Sequence, residues 1–260
     1  MALGALMFGF LQRAPLLDPS DIEWLHAHLA WFLSCFDRRV FSEQIQLVEP
    51  TPSHFPGKAD SLHGMAELIF GQVQQHAGCA HWPCRLLPPQ AFDPTTPRQV
   101  SLNGAIWGSG GQPSTGGDTL DFTYDPDLVA QPEALIASYA HAFAHHLSLM
   151  APVPPPGGES ARLRASEALA VYLGFGIMLA NSSFNPRVGG CGKCHPAADR
   201  TSYLSELETT YALALFCSFK HLPTRLPLRH LKPALRPAFK RAMKEIARNT
   251  ELITLSATNT

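Results

Sequence analysis

The sequence predicts an α+β fold in a single domain spanning residues 1–260, with a short antiparallel or mixed sheet packed on a set of helices. Three observations predict it. Segments with apolar residues at helical spacing occupy the first third of the chain and most of its second half. Between Phe41 and Tyr124 the apolar runs are instead of strand length and are punctuated by glycine and proline. The composition is that of a well-buried body: 45% apolar residues, 16% charged, and 23 prolines for irregular connections. A formal charge of −1 makes no general case for nucleic acid as a partner.

The opening run, MALGALMFGFLQR, has signal-peptide length, but no basic residue precedes it and no clean small-residue cleavage site follows. It is expected to pack as an N-terminal segment. Asp18 or Ser20 can cap a helix through IEWLHAHLAWFLSCF, where Trp24, Leu25, Leu29, Phe32 and Leu33 recur at helical spacing. From Phe41 to Val48 apolar and polar residues alternate, with Phe41, Ile45 and Leu47 against Glu43, which predicts a strand. Prolines 50, 52 and 56 force a loop, and Asp60–His76 forms a second helix with Leu62, Met65, Ala66, Ile69 and Val73 inward. CRLLP, QVSLNGAIWG and LDFTY read as strands. GSGGQPSTGGD, between the last two, lacks the GK[ST] ending of a phosphate loop and is expected to be a hairpin connection.

Pro132, in a first helical turn, opens the helix that contains SYAHAFAHHLSLM and stops before PVPPPGG. Ala165–Ser183 is apolar nearly all round, so it should be buried on every side. Tyr203–Phe219 is the next helix, with Glu206 and Glu208 where its dipole favours acids. The last, Pro237–Arg248, is amphipathic with Phe239, Met243 and Ile246 inward. Nine Lys/Arg and a single acid, Glu245, lie between Lys220 and Arg248, and this basic C-terminal helix is expected to present a solvated face. The longest later apolar run, Ala168–Ala180, is too short to span a bilayer, so no membrane is expected. Six cysteines in a chain this long do not make a disulfide scaffold, and a cytoplasmic, reducing location is the default.

The chemistry centres on the helix with three histidines. His141 and His145 are four apart, so they stack on one helical face, as a tetrahedral metal requires of two adjacent ligands. Ile136, Tyr139, Phe143 and Leu147 form an apolar face pointing away from the pair, while Ala134, Ala137, Ser138 and Ser148 leave space near it. Glu167 is the only formal charge between Arg164 and Arg187, at the start of a helix that otherwise reads as buried. A buried carboxylate needs a cation, a metal or a set of hydrogen bonds. Two histidines from one helix and a carboxylate from the next make the ligand set of a mononuclear zinc site, with water in the open position. The alternatives are a polar helix face for the histidines, and first-turn N–H groups and water for Glu167.

YAHAFAHHL resembles the HExxH helix of zincin metallopeptidases, in the form AHELAHHL found in uncharacterised bacterial proteins with a zincin-like fold. YDPDLVAQPEAL ahead of it, SEALAVYLGFGIMLAN and YLSELETTYALALF after it, and WPCRLLP upstream look similar to segments of that group, so the likeness runs from about Trp82 to Phe216. The resemblance implies a zincin-like fold in which His141, His145 and Glu167 bind zinc. It also marks a departure: Ala142 stands where HExxH proteins carry the glutamate that activates the metal-bound water. Alanine cannot accept a proton, and general-base assistance is worth roughly 10²–10⁴-fold. Glu159 and Glu206 are the acids that might replace it. The expectation is a degenerate metallopeptidase, with absent or reduced hydrolysis and a binding or regulatory role toward a peptide or protein ligand. An active zinc hydrolase with another base is the alternative.

A second cluster is CGKCH, at Cys191, Cys194 and His195. CxxCH is the attachment pattern of haem c, which would require an oxidising compartment that the N-terminus does not support, and a redox CxxC would lack the strand–helix setting that lowers a thiol pKa; a haem c or redox protein is the further alternative function. Cys191 and Cys194 with Cys79, Cys84 or His81 would make a second metal site, and a Gly-rich loop with free thiols is the plain alternative. No GxSxG supports serine catalysis, and Cys35 and Cys217 are expected in the core.

Overall fold

The longest apolar stretch of the chain forms its centre. A computed structural model describes residues 14–93, 99–183 and 201–248. Within them, α4 (Arg162–Ala170) runs through a π turn, Val171–Phe175, into α5 (Gly176–Ser182). Every residue from Ala165 to Asn181 is buried, as the all-round apolar pattern requires. Three helices pack on this axis: α3 (Pro132–Leu149) on α4 and α5, α6 (Glu206–Phe219) on α5 and the π turn, and α1 (Pro19–Cys35) on α4; α8 (Arg236–Arg248) packs on α6. α2 (Leu62–His76) covers α3, and a short α7 (Arg225–His230) precedes α8. By composition alone Glu159–Ser182 could cross a membrane, but 89% of its most apolar window is buried inside the protein, as in a core helix.

The remainder of the α+β fold is slight. β1 (Cys84–Leu86) pairs in parallel with β4 (Leu120–Phe122), and β2 (Leu102–Gly104) pairs antiparallel with β3 (Gly111–Pro113). CRLLP and LDFTY therefore are strands, and partners of each other. QVSLNGAIWG is corrected to a three-residue strand, and the glycine-rich connection itself supplies β3, so that hairpin lies between β2 and β3.

The alternation from Phe41 to Val48 misleads. Val40–Gln44 forms a π turn and residues 45–49 are extended without a strand partner. Phe41 and Ile45, four apart, are both buried, a spacing that suits a helical turn as well as a strand. The extended part is held by the core helix instead: Val48 N–H donates to the Gly174 carbonyl at 3.0 Å. Gly174 has φ +99° inside the π turn, and a Cβ there would sit 2.1 Å from the Gln46 carbonyl oxygen. Only glycine combines that backbone with that approach. In α2 the inward set is Ala66, Ile69, Phe70 and Val73, whereas Leu62 at its first position is 51% exposed.

Candidate functional site

The geometry of α3 follows from its apolar face. Tyr139 and Phe143 turn onto Phe70, and Phe143 also meets Phe122 of β4, with ring centroids 4.8–5.3 Å apart. This anchors one side of the helix and leaves His141 and His145, both half-buried, beside α4. His141 Nε2–H donates to the Leu163 carbonyl at 3.2 Å. The Tyr203 ring stacks on its imidazole, centroids 5.1 Å apart and planes 21° from parallel. His145 Nδ1 lies 3.4 Å from Ser166 Oγ. Ser166 gives its own hydroxyl proton to the Arg162 carbonyl at 2.7 Å, which leaves its oxygen lone pairs toward His145. The His146 ring lies edge-on to Phe122 at 5.0 Å and to the His145 ring at 5.9 Å.

Glu167 is completely buried and is provided for by hydrogen bonds. Oε1 accepts Ser202 Oγ–H at 3.0 Å; Oε2 accepts Leu204 N–H at 3.1 Å and the N–H of Tyr203. These donors belong to the turn that leads into α6, where Ser205 accepts Glu208 N–H and the Glu208 side chain returns to Ser205 N–H, a complete capping box. Arg164 ties the same region to α1: its guanidinium lies 4.1 Å from the Trp24 ring centroid, 3.1 Å from Asp21, and against Glu208.

A cation between α3 and α4 thus finds a partial fit. The two imidazoles share a face, but His141 uses Nε2 toward Leu163, His145 Nδ1 faces Ser166, and the carboxylate expected to complete the set accepts three hydrogen bonds from the 202–204 turn. Among the described residues no three His, Cys, Asp or Glu side chains gather so as to hold a metal ion. Ala142 is half-buried against the core. Of the substitute bases, Glu159 is engaged by Arg162 Nε at 2.7 Å, whose hydrogen bond holds its carboxyl below the usual range, and Glu206 opens α6.

No family model matches this chain, and no curated protein or solved structure matches it. The site therefore stands on its own geometry.

Cys79 is fully buried and donates to the Ala77 carbonyl at 3.6 Å; burial, with Cys84 adding to it, pushes its thiol well up. Burial also raises Cys84 to about 12. His81 does not join them: its ring lies under Gly111, with Nε2 buried and unpartnered. Cys191, Cys194 and His195 lie outside the described residues, so the expected second site and the haem c pattern have no described geometry. Cys217 is in the core, and Cys35 is half-buried against it.

Sequence reasoning missed Ser166, Ser202 and Tyr203. Ser166 precedes Glu167, and its i−4 bond to Arg162 within α4 is what aims it at His145, a local signal that was there to be read. Tyr203 reaches His141 only through the 202–204 turn, which no local pattern announces.

Proposed function

We propose that this chain is a zincin-like protein that binds a divalent metal, zinc first, through His141 and His145, and does not hydrolyse peptides. The observation that carries the reading is the α3 face itself: two imidazoles one turn apart beside α4, with Ala142 in place of a proton acceptor between them. His145 is already oriented by Ser166, the outer-shell arrangement that fixes the tautomer of a metal-binding imidazole. When bound, the metal would supply Lewis acidity; this chain would position it without a base to activate water. Glu167 is already engaged by the turn at residues 202–204, so the third ligand is the element of the reading to be separated by experiment.

Metal content of the purified chain, measured by mass spectrometry, tests the first part. A stoichiometric metal is expected, lost in the His141→Ala/His145→Ala variant; no metal, or metal retained by that variant, removes the proposal. Glu167→Gln then tells whether the carboxylate takes part. Casein or peptide cleavage tests the second part: none in the wild type and a gain in Ala142→Glu are expected, whereas strong wild-type cleavage would contradict it.

A further inference from the structure

The extended segment 45–49 is held along one edge only. Successive residues of an extended chain point their backbone groups to opposite sides. Gln46 and Val48 face the core helix: Val48 N–H donates to the Gly174 carbonyl at 3.0 Å, and the Gln46 carbonyl closes on Gly174 where only a glycine fits. The Ile45 carbonyl, both backbone groups of Leu47 and the Glu49 N–H therefore lie on the other edge. They run acceptor, donor, acceptor, donor, which is the order of a strand ladder. Among the described residues none of these four groups has a hydrogen-bond partner. The side chains of Ile45 and Leu47 are buried, so the segment is fixed in the protein while this edge stays open.

The edge opens into a groove. Ile45, Leu47 and Glu49 line a cavity of about 400 Å³ together with Lys220, Leu222 and Leu226, which run from the end of α6 into α7. Val48 is not part of its lining, as its inward direction requires. The volume lies within the roughly 300–1,000 Å³ of ligand clefts. Lys220 fixes the wall by donating Nζ–H to the Phe41 and Ser42 carbonyls, both at 2.6 Å. Two carboxylates also border the groove: Glu43, and Glu49, which is 3.6 Å from His230 Nε2. With the Lys220 ammonium turned to carbonyls, they favour a cationic ligand. What repeats acceptors and donors at strand spacing is another main chain, and an exposed strand edge is a template for one. A second copy of this chain cannot present its own 45–49 edge here, because that edge is recessed in the same groove.

We propose that residues 45–49 take up an extended peptide segment of another protein as an added strand, with an apolar side chain of the peptide against Leu222 and Leu226 and a Lys or Arg beside Glu49. The groove shares no residue with the His141 and His145 face, so this binding does not depend on the metal.

A displayed library of random heptapeptides, selected on the full chain in EDTA and counter-selected on Glu49→Lys/Leu226→Lys, tests this. The chelator keeps the outcome separate from metal binding. Enriched peptides should carry Lys or Arg and apolar residues at alternating positions. Glu49→Gln should weaken the best of them roughly tenfold, through loss of a charge-assisted contact. Backbone N-methylation of that peptide on one alternate set of residues should abolish binding to the wild type, and methylation on the other set should not, because a strand pairs along one edge. Amide exchange gives the register: in the free protein Leu47 and Glu49 should exchange quickly and Val48 slowly, and the peptide should slow the first two. Glu49 and Leu226 are partly exposed, and an unchanged unfolding temperature shows that the variants are folded. No enrichment over the counter-selected variant, equal effects of the two methylated sets, or no slowing at Leu47 and Glu49 overturns the proposal. So does slow exchange at both amides without peptide: if it grows with protein concentration the edge belongs to a second copy, and if it does not, to another part of this chain.

Discussion

Tyr203 lies on His141, its ring 5.1 Å from the imidazole, and it is kept there by Glu167, which accepts its backbone N–H. The carboxylate on the buried helix therefore acts on the histidine face through the turn before α6. Glu167→Gln should destabilise the protein, because an uncharged amide offers one acceptor oxygen in place of two to the three donors Ser202 Oγ–H, Tyr203 N–H and Leu204 N–H. Leaving such buried groups unmatched costs about 1–3 kcal/mol. Urea unfolding measures the loss, and the His141 ring protons should move as the stacked ring leaves. Unchanged stability with an unmoved His141 signal would show that Glu167 does not hold this turn.

Gly174→Ala separates two costs that coincide at the π turn. A left-handed backbone with a side chain costs ~1–3 kcal/mol, and at Gly174 the new methyl would also displace Gln46. Gly158, at φ +73° with no atom within 4 Å of an added Cβ, carries the backbone cost alone. Gly174→Ala should therefore be destabilising by clearly more than Gly158→Ala in denaturant titrations. Equal effects would mean that residues 46–48 are not pressed against the helix.

The buried imidazole of His28 should make stability fall in mild acid. Burial lowers its pKa most; the carbonyls of Trp24 and Pro156 raise it, and Arg164 lowers it further, with a net fall from 6.5. The folded protein then holds fewer protons than the unfolded chain as pH drops below 6.5, so stability is lost through that range until the folded value is passed. His28→Phe keeps a ring on Trp24 and removes the titration. The slope of unfolding free energy between pH 7 and 5 should be shallower in that variant; an unaltered slope would assign the pH response elsewhere.

Thiol reactivity should distinguish Cys79, Cys84 and Cys217 from ordinary surface cysteines. Burial holds Cys84 and Cys217 near 12, and Cys79 is raised as well. Since the thiolate is the nucleophile, iodoacetamide at pH 8 should leave all three unmodified in the native protein and label them after unfolding. Labelling of Cys84 at the rate of an exposed thiol would contradict its environment.

Much of this architecture can be read from residue order. Helical periodicity finds α1, α2, α3, α6 and α8 within a few positions, because each buries one stripe or more of apolar side chains. The all-round apolar character of Ala165–Ser183 finds the central axis. The stretch 41–48 defeats the same reasoning, since Phe41 and Ile45 satisfy both periods and the deciding partner, the Gly174 carbonyl, is remote in sequence. α7, six residues with two prolines around it, is too short to show a period. At the site, spacing finds the shared face of His141 and His145. The destination of Glu167 is invisible, because a buried carboxylate announces that it needs partners without saying whether they are a cation or three backbone and hydroxyl donors.

The bond between Val48 and Gly174 also has a kinetic meaning. Val48 belongs to no sheet, so the extended 45–49 segment gives its amide no ladder neighbours with which to open and close. Its protection from solvent deuterium depends on the π turn at the middle of the core and on the segment staying docked there together. If the axis opens only with the whole molecule, the amide of an apparently irregular segment should exchange as slowly as those of α5. An early exchange at Val48, with α5 still protected, would mark the segment as a unit that detaches before the protein unfolds.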